Sequence, residues 1–167
     1  MKGLLLTVGS LTAVMAFAVG LGSAHAANQS PAAAARVAVA GSGLGRVLVD
    51  GRGRTLYLFG KDARGKSSCA GKCATFWPPL ISSGKPVATA GAKAFLLGTT
   101  RRADGRLQVT YNHHPLYTFV KDTRKGQTNG EGLNVFGAEW DALSAAGAKV
   151  EKKTAGSSDP APGGYGY

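Results

Sequence analysis

Two cysteines and a pair of adjacent histidines are the first residues in the chain with types and spacing suited to chemistry. Cys69 and Cys73 are the only cysteines, and three residues separate them. In an exported protein an even number of cysteines predicts a disulfide, which would here pin the turn at Gly71. The rival interpretation is a metal or redox pair, with His113 or His114 as a further ligand.

The spacing argues against the metal or redox interpretation. A lone C-x-x-x-C segment lacks the second ligand pair of a structural zinc site and the C-x-x-C spacing of thiol oxidoreductases. Adjacent histidines on an extended segment point to opposite sides, so they chelate one ion poorly. We therefore predict a structural disulfide between Cys69 and Cys73 and no metal or other cofactor, with His113 and His114 kept as weak metal candidates.

Three carboxylates complete the set of candidates for chemistry. Asp62 and Asp122 each follow an aromatic segment, and Glu139 lies further along the chain. Paired carboxylates can perform general acid–base catalysis, so a hydrolase acting through these residues is one hypothesis. An aspartate directly after a strand also accepts backbone N–H hydrogen bonds in the following turn. We predict this structural role for Asp62 and Asp122, and no catalytic residues.

The two aspartates belong to an internal repeat. Residues 56–62 read LYLFGKD and residues 116–122 read LYTFVKD, so five of seven positions are identical at an offset of 60 residues. The similarity extends backwards to a short apolar segment and forwards to a Trp-x-x-Leu segment in each copy. The pattern indicates a duplication. Its equivalent residues are Tyr57, Phe59, Asp62 and Trp77 in the first copy, and Tyr117, Phe119, Asp122 and Trp140 in the second.

Antiparallel strands and tight turns are the elements that must position these residues. Residues 50–53, 104–105 and 112–115 are turn formers between strand-like segments. The two rings of each Tyr-x-Phe segment lie two residues apart, so they point to one face and are predicted to anchor the core. The sequence thus predicts a mainly β fold: two pseudo-symmetric antiparallel repeats packed as one small domain, with short helical turns such as residues 70–76.

The ends of the chain differ in composition from this domain. Lys2, an apolar run and the Ala24-His25-Ala26 end form the pattern of a cleaved secretory signal. The last residues are small and polar, which is typical of a disordered tail. The predicted organisation is a signal peptide (1–26), a flexible linker (27–41), a two-repeat domain (42–150, with repeats at about 42–83 and 95–146) and a disordered tail (151–167).

Charge and compartment restrict the partners. The net charge is +11, and basic residues are spread along the chain, Arg101 and Arg102 included, as is typical of a solvated surface. Export and the lack of a basic helix with interleaved aromatics argue against nucleic acid. Anionic envelope polymers and lipid headgroups remain as partners, without a membrane span after signal cleavage. The oligomeric state stays open.

These segments resemble the secreted-repeat family of predicted bacterial lipoproteins, which carries a Tyr-x-(Phe/Trp/Tyr)-x-x-Asp motif. The resemblance rests on residues 53–62, the two cysteines and residues 77–80 in the first copy, and on residues 111–119, 126–130 and Trp140 in the second. It implies a protein of unknown function and supplies no catalytic residues. No cysteine stands at the end of the signal, so we expect a secreted protein rather than a lipid-anchored one.

Three functions follow as hypotheses. The first is an exported, non-enzymatic binding or structural module of the periplasm or cell envelope, cleaved near Ala26. The second is a metal- or redox-accessory protein that uses Cys69, Cys73 and one of His113 and His114. The third is the carboxylate hydrolase described above.

Overall fold

The structure, a computed structural model, describes residues 34–150 and is mainly β, as predicted. The predicted signal peptide and tail lie outside the described residues. In chain order the elements are β1 (Arg36–Ser42), β2 (Gly45–Asp50), β3 (Tyr57–Phe59), α1 (Lys72–Phe76), β4 (Val87–Ala88), a 3-10 helix (Ala94–Leu96), β5 (Leu97–Arg101), β6 (Leu107–Tyr111), β7 (His114–Pro115), β8 (Leu133–Val135) and β9 (Ala138–Ala142). Neither helical segment of this part of the chain has the length and hydropathy needed to cross a membrane.

Three small sheets make up the domain. Their strand orders are β2-β1-β4, β3-β9-β8 and β5-β6-β7, and the strand pairs are antiparallel except for the parallel pair β1–β4. The β5–β6 hairpin closes around the predicted turn at residues 104–105. The β1–β2 hairpin is its counterpart in the first copy, so each repeat begins with a hairpin.

The predicted boundary between linker and domain is wrong. Residues 27–41 were expected to be a flexible linker, but β1 begins at Arg36 and pairs with β2 from Val37 to Ser42. Val37 is fully buried and Val39 is 6% exposed, because alternate residues of a strand share a face. This alternation is the sequence signal for the strand, and the alanines around it obscured it.

The two repeats exchange strands. β3 of the first repeat pairs with β9 of the second, with Leu58 opposite Asp141. In the same way the second repeat's residues 116–120 pair with the first repeat's residues 76–80, through backbone hydrogen bonds of 2.9–3.1 Å. The strands meet at Tyr57 and Tyr117, whose N–H groups each donate to the other's carbonyl oxygen at 2.9 and 3.0 Å. The β3-β9-β8 sheet and the paired segments 76–80 and 116–120 therefore each combine chain from both repeats.

Four stacked rings form the centre of the core. Phe59 stacks on Trp140 at a centroid distance of 4.1 Å, Trp140 on Trp77 at 3.9 Å, and Trp77 on Phe119 at 4.3 Å. The two tryptophans are fully buried. The order alternates between the repeats, so each phenylalanine covers the tryptophan of the other copy. Burying a large apolar side chain stabilises the fold by about 1.5–3 kcal/mol, so this stack is a main part of the hydrophobic stabilisation.

The strands that carry these rings are buried on both faces. Tyr57 meets the edge of the Trp77 ring, and Tyr117 meets the edge of Trp140. The alternate residues Leu56 and Leu58 point to the opposite side and pack in a second apolar cluster. The ring pairs thus point inward, in the predicted direction, and form one half of the core. The leucines between them form the other half.

Candidate functional site

The tyrosines and aspartates of the repeated motif bind each other across the two repeats. The Tyr57 hydroxyl donates a hydrogen bond to Asp122 Oδ2 at 2.6 Å. The Tyr117 hydroxyl donates to Asp62 Oδ2, also at 2.6 Å. The tyrosine of one copy therefore satisfies the aspartate of the other, and this exchange gives a physical reason for the spacing within the motif. No local pattern in the sequence pairs the tyrosine of one copy with the aspartate of the other.

The other oxygen of each aspartate holds the turn that follows it. Asp62 Oδ1 accepts hydrogen bonds from the Ser68 backbone N–H at 2.7 Å and the Ser68 hydroxyl at 2.8 Å. Asp122 Oδ1 accepts from the Asn129 backbone N–H at 2.9 Å and the Asn129 side-chain amide at 3.1 Å. Both oxygens of each carboxylate are thus engaged within the domain. Glu139 lies on β9 with an exposed side chain, while Asp122 is 2% exposed.

Burial controls the protonation of these groups. Burial first, and then the neighbouring Asp122, raises the pKa of Tyr57 far above its usual 10. Burial and the charge of Asp62 act in the same direction on the pKa of Tyr117. Burial also raises the pKa of Asp62 above 3.8, against the lowering effect of its hydrogen bonds. The two hydroxyls therefore remain protonated donors at neutral pH.

The predicted disulfide is confirmed, and a buried arginine holds the segment beside it. Cys69 and Cys73 are bonded to each other at the start of α1, with their Cα atoms 5.3 Å apart. The Arg102 guanidinium donates to the carbonyl oxygen of Cys69 at 2.6 Å, to Ser67 Oγ at 2.7 Å and to Gln108 Oε1 at 2.6 Å. Because the cysteines are bonded to each other, they are not thiolate ligands in this form.

The expectation of a solvated side chain is wrong for Arg102, which is 8% exposed. The three acceptors around its guanidinium compensate for the loss of water. Asp104 lies near it, with Oδ2 at 3.5 Å from Arg102 Nε. The neighbouring Arg101 is exposed, as expected for adjacent residues at the end of a strand. Alternation along β5 was the only sequence signal that set the two arginines apart.

His113 lies in the turn between β6 and β7, and His114 is the first residue of β7. Asn112 and His113 have positive φ values of 47° and 66°, and the His113 carbonyl oxygen accepts a hydrogen bond from the Gly65 N–H at 2.8 Å. His114 is half-buried; burial, followed by the positive charge of Arg64, lowers the pKa of His114 below 6.5. Within residues 34–150, no group of three or more His, Cys, Asp or Glu side chains is placed to hold a metal ion.

An open groove of about 470 Å³ lies at one end of the ring stack. Trp77 and Phe119, the last two rings of the stack, line its floor, and Phe76 of α1 and Phe136 line its walls. The Phe76 and Phe136 rings are 6.3 Å apart. The sequence does not predict this groove, because the residues of its walls come from segments that differ between the repeats.

The rim of the groove carries positive charge. Lys72 and Lys121 both line it and are exposed, and the rest of the lining is apolar. Lys72 begins α1, whereas Lys121 follows the second Tyr-x-Phe strand. A groove of this size and composition, with a few charged groups, has the character of a small-ligand site, for which volumes of about 300–1,000 Å³ are usual. The two lysines give its rim a positive charge.

One wall of the groove has a strained backbone. Phe136 and Gly137 form the two-residue turn between β8 and β9, with φ values of 60° and 93°. Such turns favour Asn, Asp or Gly at both positions. A phenylalanine in this conformation costs about 1 kcal/mol, and 39% of its surface remains exposed. The turn thus holds a partly exposed ring in a backbone conformation that Asn, Asp or Gly adopts at lower cost.

A duplicated β domain, with strands exchanged between its halves and Tyr–Asp bonds across them, is the class of protein that these features define. Residues 38–81 and 98–144 match the family described as a secreted repeat of unknown function. The two matches cover more than half of the chain, so the chain belongs to this family, as the resemblance predicted. Searches of curated proteins and of solved structures found no match.

Proposed function

We propose that the chain is an exported, non-enzymatic binding module of the cell envelope, whose groove holds the apolar part of a negatively charged ligand. The observation that carries the proposal is the combination of exposed rings and rim lysines in one groove. The oxidised cysteine pair and the family of secreted repeats support export.

The difference in place between the repeated and the non-repeated residues also supports a binding role. The residues that repeat between the two copies are engaged in the core and in the Tyr–Asp bonds. The walls of the groove instead lie where the copies differ, since the first has α1 and its disulfide where the second has the β8–β9 hairpin. A scaffold needs its symmetric contacts for stability, whereas a ligand site can change without loss of the fold.

The motif carboxylates are assigned to structure rather than to catalysis. A general base must lie within hydrogen-bond reach of a substrate proton, directly or through one water. Asp122 is almost fully buried, and both of its oxygens already accept hydrogen bonds. Asp62 is more accessible, but its oxygens are bound by Tyr117 and Ser68. This arrangement supports a non-enzymatic role.

Titration with laurate below its micellar concentration tests the proposal. Trp77 lines the groove, so its fluorescence should change on binding. Dodecyltrimethylammonium has the same chain length and the opposite charge, and it should bind more weakly. Replacing both Lys72 and Lys121 with Gln should weaken laurate about fivefold, since an exposed ion pair contributes about 0.2–1 kcal/mol.

The matched control is Lys66→Gln, which removes an exposed lysine that does not line the groove. It should leave the affinity for laurate unchanged. Saturable laurate binding that depends on the rim lysines supports the proposal. Equal affinity for the two amphiphiles, or no binding by either, rejects it.

A further inference from the structure

The exposed apolar residues of the domain are concentrated around the groove. Among residues 34–150, six large hydrophobic side chains remain exposed, and four of them belong to this region: Phe76, Val120, Val135 and Phe136. Phe76, Val135 and Phe136 line the groove, and the Val120 N–H donates to the Phe76 carbonyl oxygen at 3.1 Å. A clustered apolar patch marks an interaction surface more than scattered single residues do.

The charges around this patch are positive. Lys72 and Lys121 line the groove, and Lys61 approaches the hairpin tip, with its Nζ 3.6 Å from the position that a Cβ atom would take on Gly137. Glu139 is exposed on β9, but it alternates with Ala138 and Trp140 and therefore points to the other face of the hairpin. The patch thus combines rings, aliphatic side chains and three ammonium groups.

The turn at the tip of the β8–β9 hairpin holds one of the exposed rings of the patch. The turn at Phe136 and Gly137 holds the phenylalanine in a conformation that favours a small polar residue. In spite of this cost the ring stays 39% exposed, so it is available for a contact outside the domain. Aromatic side chains with neighbouring lysines are the combination found at the interface between an anionic bilayer and water.

We propose that this patch docks the domain on the surface of an anionic lipid bilayer, with Phe76 and Phe136 in the interfacial layer and the three lysines at the headgroups. The proposal rests on the function proposed for the groove and names the partner of that site. Each lysine near an anionic surface contributes about a factor of five in affinity, so three lysines favour anionic over neutral vesicles by about 100-fold.

Sedimentation with lipid vesicles tests the proposal. The chain used begins at Ala27, because the apolar segment before it would bind lipid by itself, and all described contacts lie within residues 34–150. Vesicles of phosphatidylglycerol and phosphatidylcholine in equal amounts should bind it about 100-fold more tightly than phosphatidylcholine alone. Raising the salt to about 0.5 M should weaken the binding, because salt screens the lysines.

Phe136→Asn is the decisive variant. Asparagine suits the positive φ of the turn, which offsets part of the lost packing of the ring on Phe76, so the domain should stay folded with a melting temperature close to that of the wild type, while vesicle affinity should fall at least about tenfold. Phe95→Asn is the matched control, since Phe95 is 81% exposed and does not line the groove. It should bind vesicles as the wild type does.

The outcomes separate this inference from the proposed function. Laurate binding without vesicle binding overturns the bilayer surface as partner and leaves the groove as a small-ligand site. Vesicle binding without laurate binding supports surface docking and rejects the ligand-holding groove. If Phe136→Asn binds vesicles like the wild type, or if both vesicle types bind equally, the docking surface proposed here is wrong.

Discussion

The exchanged Tyr–Asp bonds lead to a quantitative prediction, because the two bonds are equivalent in sequence and differ in burial. Tyr57→Phe removes the donor to Asp122, which is 2% exposed. It also removes the acceptor of the Gly130 N–H, which donates to the Tyr57 hydroxyl at 3.3 Å. Tyr117→Phe removes the donor to Asp62, which is half-buried and lines an open pocket, and also the hydrogen bond of 2.7 Å between the Tyr117 hydroxyl and Ser67 Oγ.

The magnitudes follow from access to water. A buried polar group left without a partner costs about 1–3 kcal/mol, and two such groups are left when Tyr57 loses its hydroxyl. We therefore expect Tyr57→Phe to lower the free energy of unfolding by about 3 kcal/mol. Asp62 and Ser67 are both only partly buried, so water can replace the partner that each loses, and Tyr117→Phe should cost about 1 kcal/mol.

Urea unfolding followed by tryptophan fluorescence measures both values, because the only two tryptophans are buried in the ring stack. A double-mutant cycle of Tyr57→Phe with Asp122→Asn isolates the energy of that bond from the cost of each substitution. Equal losses in the two single variants, or a larger loss for Tyr117→Phe, would refute the argument from burial. A coupling energy near zero would show that the Tyr57–Asp122 bond does not stabilise the fold.

Three further predictions concern other parts of the domain. Arg102→Lys should cost about 3 kcal/mol in urea unfolding, since lysine cannot reproduce a buried guanidinium with three acceptors, whereas Arg101→Lys should stay within about 0.5 kcal/mol. Gly130→Ala should cost about 1–3 kcal/mol, because its Cβ would lie 2.7 Å from a buried tryptophan ring; Gly43→Ala, with open space around it, should cost less than 0.5 kcal/mol. His114 has a lowered pKa when folded, so below pH 6.5 the unfolded chain binds a proton that the folded chain does not. The wild type should therefore lose stability relative to His114→Gln as the pH falls below about 6.5, and parallel pH profiles of the two proteins would contradict this.

Local patterns predicted the elements of the fold, and they failed where a residue's environment depends on distant segments. The turn at residues 104–105 and the short helix near Cys73 followed from turn formers and proline positions. The strand that begins at Arg36 was missed because its two valines stand among small residues typical of a linker. Arg102 was predicted to lie on the surface because no local pattern indicates the hydrogen-bond acceptors that Gln108 and Cys69 supply.

The sequence by itself determined the duplication, the mainly β class, the family and the disulfide, because each follows from repeated residues or from short spacings along the chain. The tertiary structure decided which tyrosine binds which aspartate, since Tyr57 and Asp122 are brought together only when the repeats exchange strands. It also decided the groove, whose walls come from α1 and the β8–β9 turn, about 60 residues apart. The physical reason is that side-chain periodicity fixes the face on which a residue lies, whereas long-range packing selects the residue that it faces.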